Sequence, residues 1–546
     1  MSPPPSDADK ITGQHVDKTS GQHMDETTGQ RIVVTGDPVT IDQVVAVARG
    51  RATATLDGGV AQRMAATREV VERAVAEDRV MYGITTGFGA LANTRIAASD
   101  LAEMQLALVR SHAAGVGPPL NDDVVRALLL LRARTLAAGI SGVRVDLPQR
   151  LLLLLERGLL PVVPEQGSVG ASGDLAQLAH LALPLVGEGR LRRAGDDDLW
   201  GRPAAEVLDA EGITPLVLQP KEGLSLINGT EPMQARLALS VDQVRLLVKV
   251  ADLACAMSLD GLLGTDRAFD ARVIDIRPHA GQLRVADNFR RLLAGSGLLA
   301  SHRNDFEHAV QDSYSLRCAP QVHGAVRDVL SHVASVLTVE LGSVVDNPVI
   351  VPTADGDYEV MSTGNFHGEP LAFGGDMLAI AISELASISE RRTDRMLDPA
   401  FSRGLPPFLA PNAGTNSGYM LAQYTAASLV SENKVLAHPS SVDTIPTSGN
   451  QEDHVSMGWT SMRKLRDVVR NVRSVLAVEM VCAAQAIDLR AEVAAPSPAV
   501  AAAHALLREQ VATMSVDREV SPQIEAVDQL LPELVAAAES VAGPLD

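Results

Sequence analysis

Cysteine is scarce. Cys255, Cys318 and Cys482 are the only three in 546 residues, too few and too scattered for a disulfide framework, and no CxxC pair occurs. A reducing cytoplasm is the expected compartment. Aromatic residues supply only 3% of the chain, so the core must be built from Leu, Val and Ala. Long Ala/Leu-rich stretches favour helix, because those side chains lose little rotamer freedom there. Positive charge is also short: 47 Lys and Arg face 67 Asp and Glu, leaving a net −20. That balance argues against nucleic acid and against an anionic membrane surface as partners. The N-terminus lacks the apolar core of a signal peptide, and no stretch long enough to span a bilayer is free of charge, so no membrane is expected. Missing too are HExxH, a P-loop, a GxSxG elbow and a GxGxxG in a strand-helix setting.

What is present has the balance of an ordinary enzyme, 46% hydrophobic and 21% charged. Residues 1–30 differ from the rest: they are polar and proline-led, with a degenerate repeat, Thr12-Gly13-Gln14-His15, Ser20-Gly21-Gln22-His23 and Thr28-Gly29-Gln30-Arg31. Such a segment cannot bury enough apolar area to offset its ordering entropy, so a disordered leader is expected. His15 and His23 are too sparse to make a metal site of it. A strand-like run begins at Arg31, and helical spacing follows at 41–49, 60–79, 99–111 and 122–139. Glycine-dense turns interrupt it at 82–89 and 167–174, and 195–221 reads as polar loop with a short hairpin. Long helical patterns then dominate: 231–258, 321–342, 370–397, 415–436 and 459–490, with amphipathic helices over 497–540. The expected fold is all-α: a loop-rich N-terminal part over 31–230 on a bundle of long helices over 231–546.

Chemistry points to Gly170-Ala171-Ser172-Gly173-Asp174. Ala-Ser-Gly is the set of residues that lets a backbone cyclise on itself. The Gly173 nitrogen must approach the Ala171 carbonyl closely, which favours a residue without Cβ. Ser172 can then lose water and leave an exocyclic methylene, an electron-poor alkene needing no added cofactor. A plain glycine-rich turn is the bland alternative, since Ala-Ser-Gly alone is common. A metal at Glu452-Asp453-His454 has little support, because adjacent side chains point in different directions; no metal is expected.

Context decides between these readings. Tyr82-Gly83 with Thr86-Gly87-Phe88-Gly89, Arg110-Ser111-His112-Ala113-Ala114-Gly115, Gly167 to Leu175, and Lys221-Glu222-Gly223-Leu224 with Asn228-Gly229-Thr230 occur in order. After them come Gln311-Asp312-Ser313-Tyr314-Ser315-Leu316-Arg317, Asp346-Asn347-Pro348, Gly364-Asn365-Phe366-His367-Gly368 and Asn450 to Met457. Together these motifs resemble the aromatic amino acid lyase family, over nearly everything from about 35 to 520. The resemblance implies the cofactor 4-methylideneimidazol-5-one (MIO), made autocatalytically from Ala171, Ser172 and Gly173. It also implies a homotetramer whose active sites draw residues from more than one subunit, so that Tyr82 and Arg317 need not come from the same chain.

Deamination of an α-amino acid requires removal of a weakly acidic β-proton and departure of a poor leaving group. Covalent attachment of the amine to the methylene improves the leaving group, and a base takes the proton. By resemblance Tyr82 is that base, the alternative being a core tyrosine. A tyrosine can serve only if its pKa falls well below about 10, for which nearby positive charge or helix N-termini are the available causes. By the same resemblance Arg317 clamps the substrate carboxylate, as a guanidinium presents two parallel donors. Asn228 and Tyr314 would hold cofactor and amine, Asp174 would assist cyclisation, and Phe366 would pack against the ring. Gln311, Tyr314 and Arg317 stand at i, i+3 and i+6, near one face if that segment is helical.

Substrate choice turns on Ser111-His112 and on Glu452. Members acting on phenylalanine carry apolar residues at the first pair, although members acting on tyrosine can also carry histidine. At Glu452, phenylalanine and tyrosine members carry glutamine and histidine members glutamate. A carboxylate accepts an imidazole N–H, whereas beside a phenyl ring it would be desolvated without a partner. A structural ion pair is the other reading of Glu452. L-histidine is the expected substrate and trans-urocanate the product. A related lyase or 2,3-aminomutase acting on tyrosine is the nearest rival, and a catalytically dead helical scaffold the remote one. Thr85, where Asn or Ser is usual, and Gln177, where proline is common, depart from the family pattern.

Overall fold

The computed structural model describes residues 29–87, 94–305 and 310–546. The expected leader, with its His15 and His23 repeats, falls outside the described residues apart from its last two positions, as do Phe88 and Gly89 of the first glycine-dense turn.

Five long helices form the body: Glu231–Gly261, Ala319–Glu340, Glu369–Leu397, Met420–Leu436 and Gly458–Asp488. Gly458–Asp488 is the axle, packed against Glu369–Leu397, Glu231–Gly261, Met420–Leu436 and the C-terminal helix Ser521–Ala542. Local sequence explains the starts: Pro232, Pro320, Pro370, Pro498 and Pro522 each sit in the first turn of a helix. There the missing N–H costs nothing and the fixed φ already suits the helix. Met420–Leu436 begins five residues later than its sequence pattern, because Gly414 and Gly418 take positive φ and hold the preceding segment in turns.

One apolar cluster runs from Ile32 to Leu545. Glu231–Gly261 is buried along most of its length, which forces its polar groups to find partners inside. Asp252 takes His323 at 2.7 Å and Arg327 at 2.7 Å, while Ser258 donates to Glu479, the carboxylate that also pairs with Arg392 at full burial. Glu369–Leu397 is long and apolar enough by composition to cross a bilayer, yet 56% of its apolar window is buried inside the protein.

Strands are few and short. Gln30–Val34 pairs in parallel with Ala52–Leu56, and Leu159–Pro161, Arg190–Arg193 and Arg202–Pro203 make a small antiparallel sheet. The last two make a hairpin, but it starts at Arg190, ahead of the 195–221 stretch in which one was expected. A helix, Ala204–Ala210, follows where the sequence suggested loop; its AAEVLDA is a good helix former behind Pro203. Asp122–Ala137 packs on Glu231–Gly261 and ties the N-terminal part to the bundle.

Candidate active site

Three of the long helices start at one place. The Met233 N–H, in the first turn of Glu231–Gly261, donates to Asp174 Oδ2 at 3.0 Å. Just before Glu369–Leu397, the Gly368 N–H reaches the Gly170 carbonyl at 3.3 Å. Ahead of Gly458–Asp488, the Ser456 hydroxyl donates to Gly170 O at 3.0 Å and the Met457 N–H to Val169 O at 2.9 Å. The 167–174 loop therefore lies against three helix N-termini, whose dipoles raise the local positive potential.

Within that loop Gly170 and Gly173 have φ of 68° and 71°. Gly173 is the tighter case: a Cβ there would lie 1.8 Å from the Gly229 carbonyl oxygen, and the Asp174 N–H donates to that same oxygen at 2.8 Å. Only glycine fits against Gly229 here, so the residue that would supply the attacking nitrogen is held without a Cβ by its packing. Ser168 braces the turn by donating to Asp174 Oδ1 at 2.6 Å while accepting from the Gly170 N–H at 3.0 Å. Asp174 is fully buried, and burial pushes its carboxyl up to about 7 against the lowering effect of its hydrogen bonds from Ser168 and Met233.

Ser172 opens onto a cavity of about 780 Å³, also lined by Tyr82, His112, Asn228, Phe366 and Glu452. The His112 Nδ1 lies 2.9 Å from the Leu108 carbonyl, which can only accept. The proton therefore sits on Nδ1, and a neutral ring presents Nε2 as an acceptor. The Asn228 amide donates to Asn347 O at 3.0 Å, and its Oδ1 has no partner among the described residues. Beneath it lies a fully buried ion pair: Arg132 donates to Glu231 Oε1 at 2.7 Å and to the Asn228 carbonyl at 3.1 Å. Glu452 Oε2 accepts from the Thr447 hydroxyl at 2.7 Å, and Ser172 Oγ faces Oε1 at 3.4 Å.

Thr85 turns out to staple the Tyr82 loop. Its hydroxyl donates to Arg79 O at 2.6 Å and accepts from the Met81 N–H at 2.9 Å. Gln177 is buried in the helix Leu175–Ala182, with its amide 3.4 Å from the carbonyls of Pro164 and Glu165.

Gln311, Tyr314 and Arg317 do not join this cavity. Helix begins only at Tyr314, in the single turn Tyr314–Arg317, so Gln311 lies outside it and the expected common face holds for two of the three. Gln311 and Arg317 line a separate cavity of about 400 Å³. Tyr314 is 71% exposed, and the Arg317 guanidinium stacks 4.6 Å from its ring centroid.

Sequence reasoning passed over several residues that matter here. Lys221 and Asp346, from two separate motifs, meet as a fully buried pair at 2.9 Å beside Ser225. Arg132, one of three arginines in the helix Asp122–Ala137, is fully buried against Glu231, and nothing in its spacing marked it out. Ligand-type atoms of His367, Glu369 and His454, rather than Glu452-Asp453-His454, gather within 4.8 Å of one another. Much of that group is already engaged internally, for the Glu369 N–H points at His367 Nδ1 and His367 Nε2 at the His454 carbonyl.

The family model for aromatic amino acid lyases matches residues 39–509, most of the chain and all of the cavity. The chain belongs to the aromatic amino acid lyase family. Among members of this family, a histidine ammonia-lyase of Anaeromyxobacter sp. (strain K) is 51% identical over 506 residues, covering 92% of this chain and 98% of that protein. The crystal structure of histidine ammonia-lyase from Trypanosoma cruzi matches with TM-score 0.85 and 41% identity over 94% of this chain and 96% of the other. A tyrosine aminomutase from Streptomyces globisporus matches with TM-score 0.89 and 37% identity, covering 94% of this chain and all of the other. The aromatic amino acid lyase architecture is thus shared by lyases and aminomutases, and cavity chemistry must distinguish them.

Proposed function

We propose that this protein is a histidine ammonia-lyase, converting L-histidine to trans-urocanate and ammonia. One observation carries the substrate reading: Glu452, a carboxylate, lines the cavity beside Ser172, with Oε1 3.4 Å from the Ser172 hydroxyl. A phenyl or phenol side chain would leave that carboxylate without an N–H partner, whereas an imidazole supplies one.

Ala171, Ser172 and Gly173 fit the formation of 4-methylideneimidazol-5-one. The Gly173 nitrogen bonds to the Ala171 carbonyl carbon, whose oxygen leaves as water, and Ser172 then loses its hydroxyl and α-hydrogen as a second water. Once formed, this group supplies an electron-poor alkene without any added cofactor or metal. The remaining work belongs to side chains. Tyr82, which lines the same cavity as Ser172, takes the β-proton. His112 and Glu452 address the imidazole, Phe366 covers the ring, and Asn228 offers its unpaired Oδ1 to an N–H donor of the amine.

The carboxylate clamp, Arg317, is assigned to a neighbouring copy, together with Gln311 and Tyr314. In support, Phe373, Met377 and Ile380 form one exposed apolar face on Glu369–Leu397, and Leu421 and Tyr424 add to it from the next helix. A homotetramer with shared sites would cover that face. Free thiols at Cys255, Cys318 and Cys482 suit a cytoplasmic setting.

The test is incubation of purified protein with L-histidine, following urocanate absorbance, with L-tyrosine and L-phenylalanine in parallel. Urocanate forms from histidine alone, and Ser172→Ala abolishes both turnover and the near-ultraviolet chromophore. Turnover of tyrosine instead would keep the family and overturn the substrate reading.

A further inference from the structure

Glu452 has two oxygens in unequal surroundings. Oε2 is held by the Thr447 hydroxyl at 2.7 Å, while among the described residues the hydrogen bond given to Oε1 is the long one from Ser172 Oγ at 3.4 Å. Closing the Thr447–Glu452 loop does not require that hydroxyl. The two backbones already exchange hydrogen bonds, Thr447 N–H to Glu452 O at 3.0 Å and Glu452 N–H to Thr447 O at 3.3 Å. Between them Ser448, Gly449 and Asn450 all adopt positive φ, of 51°, 64° and 69°. Three successive left-handed residues, one of them serine, are a costly conformation that surrounding structure must hold in place, and such segments concentrate at functional sites.

Ser172 is also the residue that loses its hydroxyl as water when the cofactor forms. Cyclisation therefore removes the hydrogen bond donor at Glu452 Oε1 and leaves Oε2 untouched. We infer that Thr447 is a positioning residue for substrate selection: it fixes the Glu452 carboxylate by Oε2, so that Oε1, freed by cofactor formation, is the oxygen that receives the imidazole N–H. This rests on the histidine reading, and it adds an order of events. The imidazole acceptor becomes available only in a chain that has matured.

Thr447→Val keeps the shape of the side chain and removes the hydroxyl; Thr447→Ser restores the hydroxyl. Wild type and both variants are purified, checked for the near-ultraviolet chromophore and for thermal unfolding, and assayed for urocanate across L-histidine concentrations. Wild-type turnover of histidine tests the underlying reading separately. Given that turnover, Thr447→Val keeps its chromophore and raises KM for L-histidine about tenfold, with kcat changed much less, as befits one charge-assisted hydrogen bond. Thr447→Ser returns KM to near the wild-type value. An unchanged KM in Thr447→Val overturns the inference. So does loss of the chromophore or of the fold in that variant with no defect in substrate affinity once a chromophore-bearing fraction is isolated, since the hydroxyl would then serve structure alone.

Discussion

Around Ala171-Ser172-Gly173, side chains from distant parts of the sequence converge on one cavity: Tyr82 and His112 from the N-terminal part, Asn228 from the head of Glu231–Gly261, Phe366 and Glu452 from loops before two other long helices. The Gln311–Arg317 segment differs in every respect. It is built on one helical turn, leaves Tyr314 largely in solvent, and turns Gln311 and Arg317 into a cavity of their own. A tyrosine stacked under an arginine on an open surface is a poor stability device, because an exposed cation–π pair is worth only about 0.5–1 kcal/mol. The contrast teaches that the described residues hold two separate clusters, one around Ser172 and one around Arg317. On the proposed reading, each is completed by the other part on a neighbouring copy.

The sharpest way to break that comparison is complementation. Tyr82→Phe and Arg317→Ala are each expected to be nearly inactive alone. Co-expressed and co-purified through two different tags, they regain activity, because some sites draw a native Tyr82 from one chain and a native Arg317 from the other. With random mixing roughly a quarter of sites are fully native, and recovered activity approaches that fraction of wild type. If both groups acted within one chain, no site in the mixture would be whole and activity would stay at the level of the single variants.

A smaller effect sharpens the role of the clamp. Arg317→Lys keeps the charge but loses the planar pair of donors that suits a carboxylate. KM for L-histidine rises on the order of tenfold, corresponding to about 1.4 kcal/mol, and kcat falls less. An equal fall in kcat with KM unchanged would mean that Arg317 acts on the chemical step rather than on binding.

The same contrast explains what could be read from sequence. Long Ala/Leu-rich periodic stretches specify their helices locally, so the five long helices appear where spacing put them, and even the late start of Met420–Leu436 follows from Gly414 and Gly418. Gly173 was legible through the Ala-Ser-Gly run, whose cyclisation favours a residue without Cβ; its packing against Gly229 was not, since that contact joins distant segments. Thr447 and Arg132 were not legible. Their significance comes from partners five and ninety-nine positions away, Glu452 and Glu231, and no periodicity encodes such a meeting. The i, i+3, i+6 argument for Gln311, Tyr314 and Arg317 failed at its first member for a related reason. Helix starts at Tyr314, after Asp312 has been drawn away to hold the Thr265 N–H and the Arg403 guanidinium.

The smallest expected effect concerns how the chamber is maintained before any substrate arrives. Asp174 is buried beside Glu231, and its carboxyl is pushed up to about 7, well above its ordinary value of 3.8. In the folded chain it holds a proton that the unfolded chain has released over that interval. Its contribution to stability is therefore fully present below about pH 4 and is lost as pH rises through about 7. Asp174→Asn cannot ionise and loses nothing over the same window. Because Asp174 is also assigned a part in cyclisation, the comparison belongs in a background where neither protein matures: Ser172→Ala against Ser172→Ala with Asp174→Asn. Thermal unfolding from pH 4 to 8 should show the two midpoints diverging as pH rises, the double variant becoming the more stable by a few degrees at the alkaline end. Other buried carboxyls such as Asp260 are common to both proteins and cancel. Parallel curves would mean that Ser168 and the Met233 N–H hold Asp174 ionised throughout, and the chamber would then carry a permanent negative charge at its floor.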